Sequence, residues 1–217
     1  MSEVEDPDST FILRSFPVGP LQCNCSIIGD RISGRALVVD PGGNADQILS
    51  LLKELNLVPI AIVHTHAHLD HILAAGDIKR ATGAPIYLHK EDVFLWDMLE
   101  QQCGMVGVPY KPLPDPDHYL KDDQDLACCG GIAIHTPGHS PGSMSFWFDE
   151  HRTLIAGDTL FQGSVGRTDL WGGDMNTLVN SIKQRLYTLD DEAIVVTGHG
   201  PNTRIGIEKS SNNFVRA

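Results

Sequence analysis

No apolar run in this chain reaches the roughly 20 residues that a helix needs to cross a bilayer, so a helical membrane span is excluded. Cationic side chains are also scarce: 16 Lys and Arg stand against 28 Asp and Glu, a formal net charge of −12 at pH 7. That balance argues against nucleic acid as a partner, because phosphate binding relies on a basic surface that displaces counterions. An anionic substrate would need a local basic group to offset the overall field. A zinc-ribbon spacing is missing too. The five cysteines, Cys23, Cys25, Cys103, Cys128 and Cys129, are odd in number and fit reduced thiols in a cytosolic setting. Cys23 and Cys25 read as packing on one face of a strand, with a redox pair as the alternative. Adjacent Cys128 and Cys129 would face opposite sides of a strand, which suggests no ligand role. The opening MSEVEDPDST has neither a basic n-region nor an apolar h-region, so residues 1–9 read as a polar, disordered leader on a cytoplasmic protein.

What is present is concentrated in Ile60 to Ala75, IAIVHTHAHLDHILAA, where four histidines and an aspartate fall within eight residues. Ile60 to Val63 is apolar and partly β-branched, follows Pro59, and is too short for a helix, so it reads as a buried strand. The histidines then begin at a strand end. In an extended exit His66 and His68 point the same way, while Asp70 and His71 come where Ile72 starts a helix. His64 and His68 are also four apart, as on a mononuclear zinc-protease helix, but that site needs a glutamate where Thr65 stands. Crowded neutral imidazoles and a carboxylate would each need a separate partner, whereas one or two divalent cations satisfy them together.

The 217-residue chain, 41 % hydrophobic, suffices for one large domain or two intimate halves. Strands are expected at Thr10 to Phe16, Cys23 to Gly29 and Ala36 to Val39, the last emptying into Asp40-Pro41-Gly42-Gly43. Asp40 there is either a turn residue or an acceptor that orients a metal-binding histidine. Helices are expected from Asn44 or Ala45 to Leu55, from Ile72 to Ala81, from Lys90 to Gln101 and from Met175 to Leu189. Gly104 to Asp123 reads as a surface excursion, with His89 and His118 as solvated residues. In the second half, strands at Leu126 to Ile134, Ser143 to Phe148, Arg152 to Ala156 and Ala193 to Val196 precede His139, Asp158 and His199. Each of these three is flanked by glycine, which permits unusual backbone angles.

Seven ligand-type side chains thus follow predicted strands in four loops. Thr65-His66-Ala67-His68-Leu69-Asp70-His71, with His139, Asp158 and His199 in order and Asp40 as a first motif, resembles the metallo-β-lactamase superfamily over about residues 10 to 215. The resemblance implies an α/β fold, a four-layer αβ/βα sandwich with mixed sheets, as one domain over residues 10–217. It further implies that His66, His68 and His139 hold one metal, that Asp70, His71 and His199 hold another, and that Asp158 bridges them. Nitrogen and carboxylate donors without thiolate suit zinc and also tolerate iron or manganese.

Within the superfamily, Pro20 to Cys25, Gly157 to Phe161, Gly163 to Asp169 and Gly198 to Thr203 resemble the short bacterial-type glyoxalase II, or hydroxyacylglutathione hydrolase, group. That implies cleavage of a thioester such as S-D-lactoylglutathione to D-lactate and glutathione. The cations would lower the pKa of a shared water and stabilise the oxyanion. Asp70 would help position or deprotonate the nucleophile. Arg167 reads either as the clamp for a substrate carboxylate or as a structural partner of Asp169. The alternatives are an iron-dependent glutathione persulfide dioxygenase, which shares the His-x-His-x-Asp-His cluster, and a lactonase-like hydrolase. The expected partner is a small glutathione-linked thioester, with neither nucleic acid nor membrane involved and an oligomer left open.

Overall fold

The computed structural model describes residues 9–216. Apart from Ser9, whose hydroxyl accepts a hydrogen bond from the Phe11 amide, the expected leader lies outside the described residues. Contacts divide the chain into two compact units: residues up to Leu88 together with Val93–Tyr119, and His89–Asp92 together with Leu120 onward.

The first unit is a six-stranded sheet in the order β1-β2-β3-β4-β5-β6, built from β1 Phe11–Val18, β2 Cys23–Asp30, β3 Arg35–Val39, β4 Val58–Val63, β5 Ile86–His89 and β6 His118–Leu120. β1, β2 and β3 pair antiparallel, and β3, β4 and β5 pair parallel, so the sheet is mixed. Pro17 sits inside β1 because an edge strand tolerates a missing amide donor on its outer side. β3 and β4 are buried almost throughout, as strands covered on both faces must be. Helix α1, Ala45–Glu54, buries Ile48 and Leu52.

The helix expected from Ile72 to Ala81 is instead two, α2 Leu69–Ile72 and α3 Ala75–Thr82. The Ala74 amide donates to the Pro41 carbonyl at 2.8 Å rather than up its own helix, and this breaks the ladder. The stretch expected as one helix from Lys90 is likewise split, into a 3₁₀ turn at Lys90–Asp92, α4 Val93–Asp97 and α5 Leu99–Val106. The excursion from Gly104 carries β6, which closes the sheet.

The second unit is also six-stranded and mixed, in the order β14-β13-β10-β9-β8-β7. Its strands are β7 Gln124–Asp125, β8 Gly131–His135, β9 Met144–Phe148, β10 Thr153–Gly157, β13 Ile194–Thr197 and β14 Thr203–Arg204. β10 and β13 run parallel. A separate hairpin pairs β11 Leu160–Phe161 with β12 Ser164–Val165. Helix α6, Met175–Ser181, continues as a π-helical turn, Ile182–Leu186, and α7 spans Ile205–Ser211. Leu178, Ile182 and Leu186 join Trp147, Leu154 and Val195 in one buried cluster.

The strand expected at Leu126 to Ile134 begins only at Gly131. Leu126 to Gly130 form a turn in which the Leu126 amide donates to the Gly131 carbonyl and the Gly131 amide to the Cys128 carbonyl. Cys128 and Cys129 therefore do not alternate across a strand.

Candidate metal centre

In the first unit the chain leaves β4 at Val63 and delivers every candidate ligand within the next eight residues. His64 is fully buried, its Nδ1 donating to the His71 carbonyl at 3.2 Å and its ring edge-on to Trp96. Burial lowers its pKa to about 4, so it is a neutral core histidine. Buried Asp40 collects the rest. Its carboxylate accepts from the Thr65 amide at 2.8 Å, the Thr65 hydroxyl at 2.6 Å and His71 Nδ1 at 3.0 Å.

Since a carboxylate only accepts, His71 carries its proton on Nδ1 and presents Nε2. Thr65 spends its one hydroxyl proton on Asp40. The 3.1 Å contact between its oxygen and His66 Nδ1 is then donated by the imidazole, and His66 presents Nε2 as well. The His66 ring lies 4.7 Å from that of His68 and 4.0 Å from that of His71. Asp70 Oδ2 is 3.8 Å from His71 Nε2. Gly42 permits this packing: a Cβ there would fall 1.4 Å from the Asp70 carbonyl oxygen.

In the second unit three candidate ligands come from three separate strand ends. His139 lies in the β8–β9 loop, Asp158 follows β10 and His199 follows β13. His139 Nδ1 donates to the Arg167 carbonyl at 2.7 Å, leaving Nε2 for another role. The decisive geometry is at Asp158, whose Oδ2 lies 3.7 Å from His139 Nε2 and 3.7 Å from His199 Nε2. Both separations exceed a hydrogen bond. They match two donors that each lie about 2.0–2.2 Å from a common cation. Gly198 makes room, since a Cβ there would sit 1.9 Å from Asp158 Oδ1.

The donor set fits divalent metal: Nδ1 of His71, His139 and His66 is fixed by a carboxylate, a backbone carbonyl and a hydroxyl in turn, and carboxylates lie beside Nε2 of His71, His139 and His199. Asp40 thus does more than shape a turn, since it accepts from both Thr65 and the His71 ring.

Arg167 contributes through its backbone, while its guanidinium makes a two-point pair with Asp169 at 2.7 and 2.8 Å with 61 % of the side chain exposed. The Asp169 carboxyl is held down to about 2 by that hydrogen bond.

Sequence reasoning did not single out Asp92. It is fully buried, accepts from the Ser140 hydroxyl and the Gly142 amide, and so fixes the loop bearing His139. No periodicity or motif marks it, because its partners lie 48 and 50 residues away. His118 is exposed as expected. His89 is not simply solvated: its ring stacks on His135 at 4.2 Å, and burial, then His135, lower its pKa.

The sequence model of the Metallo-beta-lactamase superfamily matches residues 18–199. A Haemophilus influenzae protein named hydroxyacylglutathione hydrolase GloC is 38 % identical over 209 residues, covering 94 % of this chain and 98 % of that protein. Among solved structures, the BLEG-1 B3 metallo-beta-lactamase superposes with a TM-score of 0.88 at 37 % identity, covering 95 % of this chain and 100 % of that one. TTHA1623 in a di-iron-bound form superposes with a TM-score of 0.86 at 36 % identity, covering 93 % and 100 %. The α/β fold with mixed sheets is the metallo-β-lactamase fold.

Proposed function

We propose, proceeding from the fact that this chain belongs to the metallo-β-lactamase superfamily, that this metal-dependent hydrolase cleaves a hydroxyacyl-glutathione-type thioester. The observation that carries the site is the single Asp158 oxygen, equidistant at 3.7 Å from His139 Nε2 and His199 Nε2. What supports the substrate is the identity, spread over nearly the whole chain, to a protein named hydroxyacylglutathione hydrolase.

In this reading the two units work as one domain. His66, His68 and His139 would hold one cation, Asp70, His71 and His199 would hold the second, and Asp158 would be shared between them. Zinc is the ion that the nitrogen and carboxylate donors suit first, and iron, carried by the TTHA1623 relative, suits them too. When bound, two cations supply Lewis acidity that lowers the pKa of water and polarises a carbonyl.

The chain's own groups do the positioning. Asp40 holds the proton on His71 Nδ1 and so aims Nε2, Thr65 does the same for His66, and the Arg167 carbonyl does so for His139. Asp70, at the N-terminal turn of α2, orients the attacking water. The Arg167 guanidinium, exposed and paired with Asp169, exchanges that surface partner for the carboxylate of the substrate's thiol carrier. It would thereby supply the local positive charge that a chain of net charge −12 otherwise lacks. The substrate is a small molecule. No helix among the described residues is long and apolar enough to cross a membrane, and a cytoplasmic enzyme suits a thiol carrier abundant there.

A second reading, β-lactam hydrolysis, is favoured by the likeness to BLEG-1. Elemental analysis of the purified protein, paired with lactoylglutathione, β-lactam and lactone hydrolysis and with oxygen uptake on glutathione persulfide, separates the readings. Thioester cleavage with about two equivalents of metal is the expected result. Turnover of another substrate without thioester cleavage overturns it.

A further inference from the structure

The five thiols divide into two chemical classes. Cys23 and Cys25 alternate on β2 and are wholly buried, out of reach of an oxidant in solvent. Cys103 is buried in α5, and burial raises its pKa. These three are packing residues, as the alternation on β2 suggests for the first two.

Cys128 and Cys129 differ. They sit at the tip of the turn between β7 and β8, with Cys128 buried, Cys129 partly exposed, and the two Sγ atoms 3.0 Å apart. Three residues in this turn have left-handed backbones: Ala127 at φ 56°, Cys129 at φ 56° and Gly130 at φ 66°. Only the glycine adopts that region without cost. The strain is kept in place by the Leu126 amide on the Gly131 carbonyl, the Gly131 amide on the Cys128 carbonyl and the Ala127 amide on Asp125 Oδ1 at 2.6 Å. Its consequence is that neighbouring side chains, which an extended strand would send to opposite faces, lie on the same side.

We propose that Cys128 and Cys129 form a two-electron modification site that closes to a disulfide between adjacent residues when the protein meets a peroxide. The partly exposed Cys129, as thiolate, attacks one oxygen of hydrogen peroxide. The O–O bond breaks, a sulfenic acid forms and the departing hydroxide leaves as water. The Cys128 sulfur then attacks the sulfenyl sulfur. The S–S bond forms, the S–O bond breaks and the second water departs with the Cys128 proton. Two thiols lose two electrons and two protons, and one peroxide becomes two waters. Consecutive Cα atoms lie about 3.8 Å apart across a trans peptide, below the usual span for a disulfide. The bridge is therefore readily reopened by a dithiol.

The test treats the full, metal-loaded chain with hydrogen peroxide, then alkylates it under denaturing conditions and maps the peptides by mass. The expected result is a peptide bearing Cys128 and Cys129 that has lost two hydrogens and takes no alkyl group, while Cys23, Cys25 and Cys103 are all alkylated. Dithiothreitol before alkylation should restore two alkylations. In Cys128→Ser, the same exposure should leave Cys129 as a sulfenic acid trapped by dimedone or as a sulfinic acid. Alkylation of both residues in oxidised wild type, or stable sulfenic acid on wild-type Cys129, overturns the proposal.

Discussion

The two units are built alike, each a six-stranded mixed sheet, yet they assemble their candidate ligands in opposite ways. The first unit draws His66, His68, Asp70 and His71 from one connection after β4, braced from the end of β3 by one carboxylate, Asp40. The second gathers His139, Asp158 and His199 from three loops up to 60 residues apart. Its geometry depends on long-range contacts: Asp92 on the His139 loop, the Arg167 carbonyl on His139, and the bare Cα of Gly198 against Asp158. The clustered set needs one strand register, β3 on β4, to meet Asp40, whereas the dispersed set needs three loops placed by separate strands. The second unit should therefore be the more fragile half.

The largest effect is expected at the carboxylate shared by the dispersed set. Asp158→Ala should abolish nearly all hydrolysis and lower metal content in elemental analysis. Retention of both activity and two metal equivalents would dissolve the contrast. Next is a paired test of crowding. Gly198→Ala would place a methyl group 1.9 Å from Asp158 Oδ1. It should cost about 1–3 kcal/mol in thermal or denaturant unfolding, as overpacking does, and should also deplete metal. Third, Asp40→Asn keeps the shape but gives up charge and acceptor capacity beneath His71. A loss of about 10–100-fold in metal affinity by competition with a chelator is expected, and unchanged affinity would show that the local cluster does not need its acceptor.

Smaller still, Arg167→Ala should raise KM about tenfold or more, in line with a lost charged hydrogen bond, with little change in kcat because a remote clamp binds ground and transition states alike. An unchanged KM removes the guanidinium from the site.

The smallest effect compares one acid in each unit. Asp117 accepts from the Ile86 amide and Lys79, and Asp122 from the His135 amide and Arg185. Partial burial pushes both carboxyls up, but hydrogen bonds and cations outweigh it and hold both below the usual 3.8. A carboxyl whose pKa is lowered in the folded state stabilises the fold above its unfolded pKa, and that contribution is lost as pH falls through the folded value. Asp117→Asn and Asp122→Asn should therefore flatten the stability loss below about pH 4, each by under about 1 kcal/mol, as befits partly exposed pairs.

Legibility in the sequence follows the same division. Strands β2, β3, β4, β9, β10 and β13 were readable because each is a short apolar run bounded by turn residues, and α1 because its buried positions recur at helical spacing. The first unit's cluster was plain from residue density alone. For the second, single strand-end residues pointed to a site only when taken together. The breaks in the chain were not legible: the halt between α2 and α3 comes from Ala74 bonding to distant Pro41, which no local propensity encodes. The turn at Leu126 was hidden for a related reason, since left-handed Ala127 and Cys129 are residues that seldom adopt that conformation. Asp92 left no trace in pattern, because its value lies wholly in what it touches.

Asp40 holds a left-handed backbone at φ 49° just past β3, and its carboxylate reaches Thr65, just past parallel β4. Sliding those two strands by a single step would separate the carboxylate from the amide it grips and turn the His71 imidazole loose in the same motion. Correct alignment of the hydrophobic strands and correct aim of the His71 imidazole are therefore one event, so the polar contacts that follow β4 form only when β3 and β4 have paired in register.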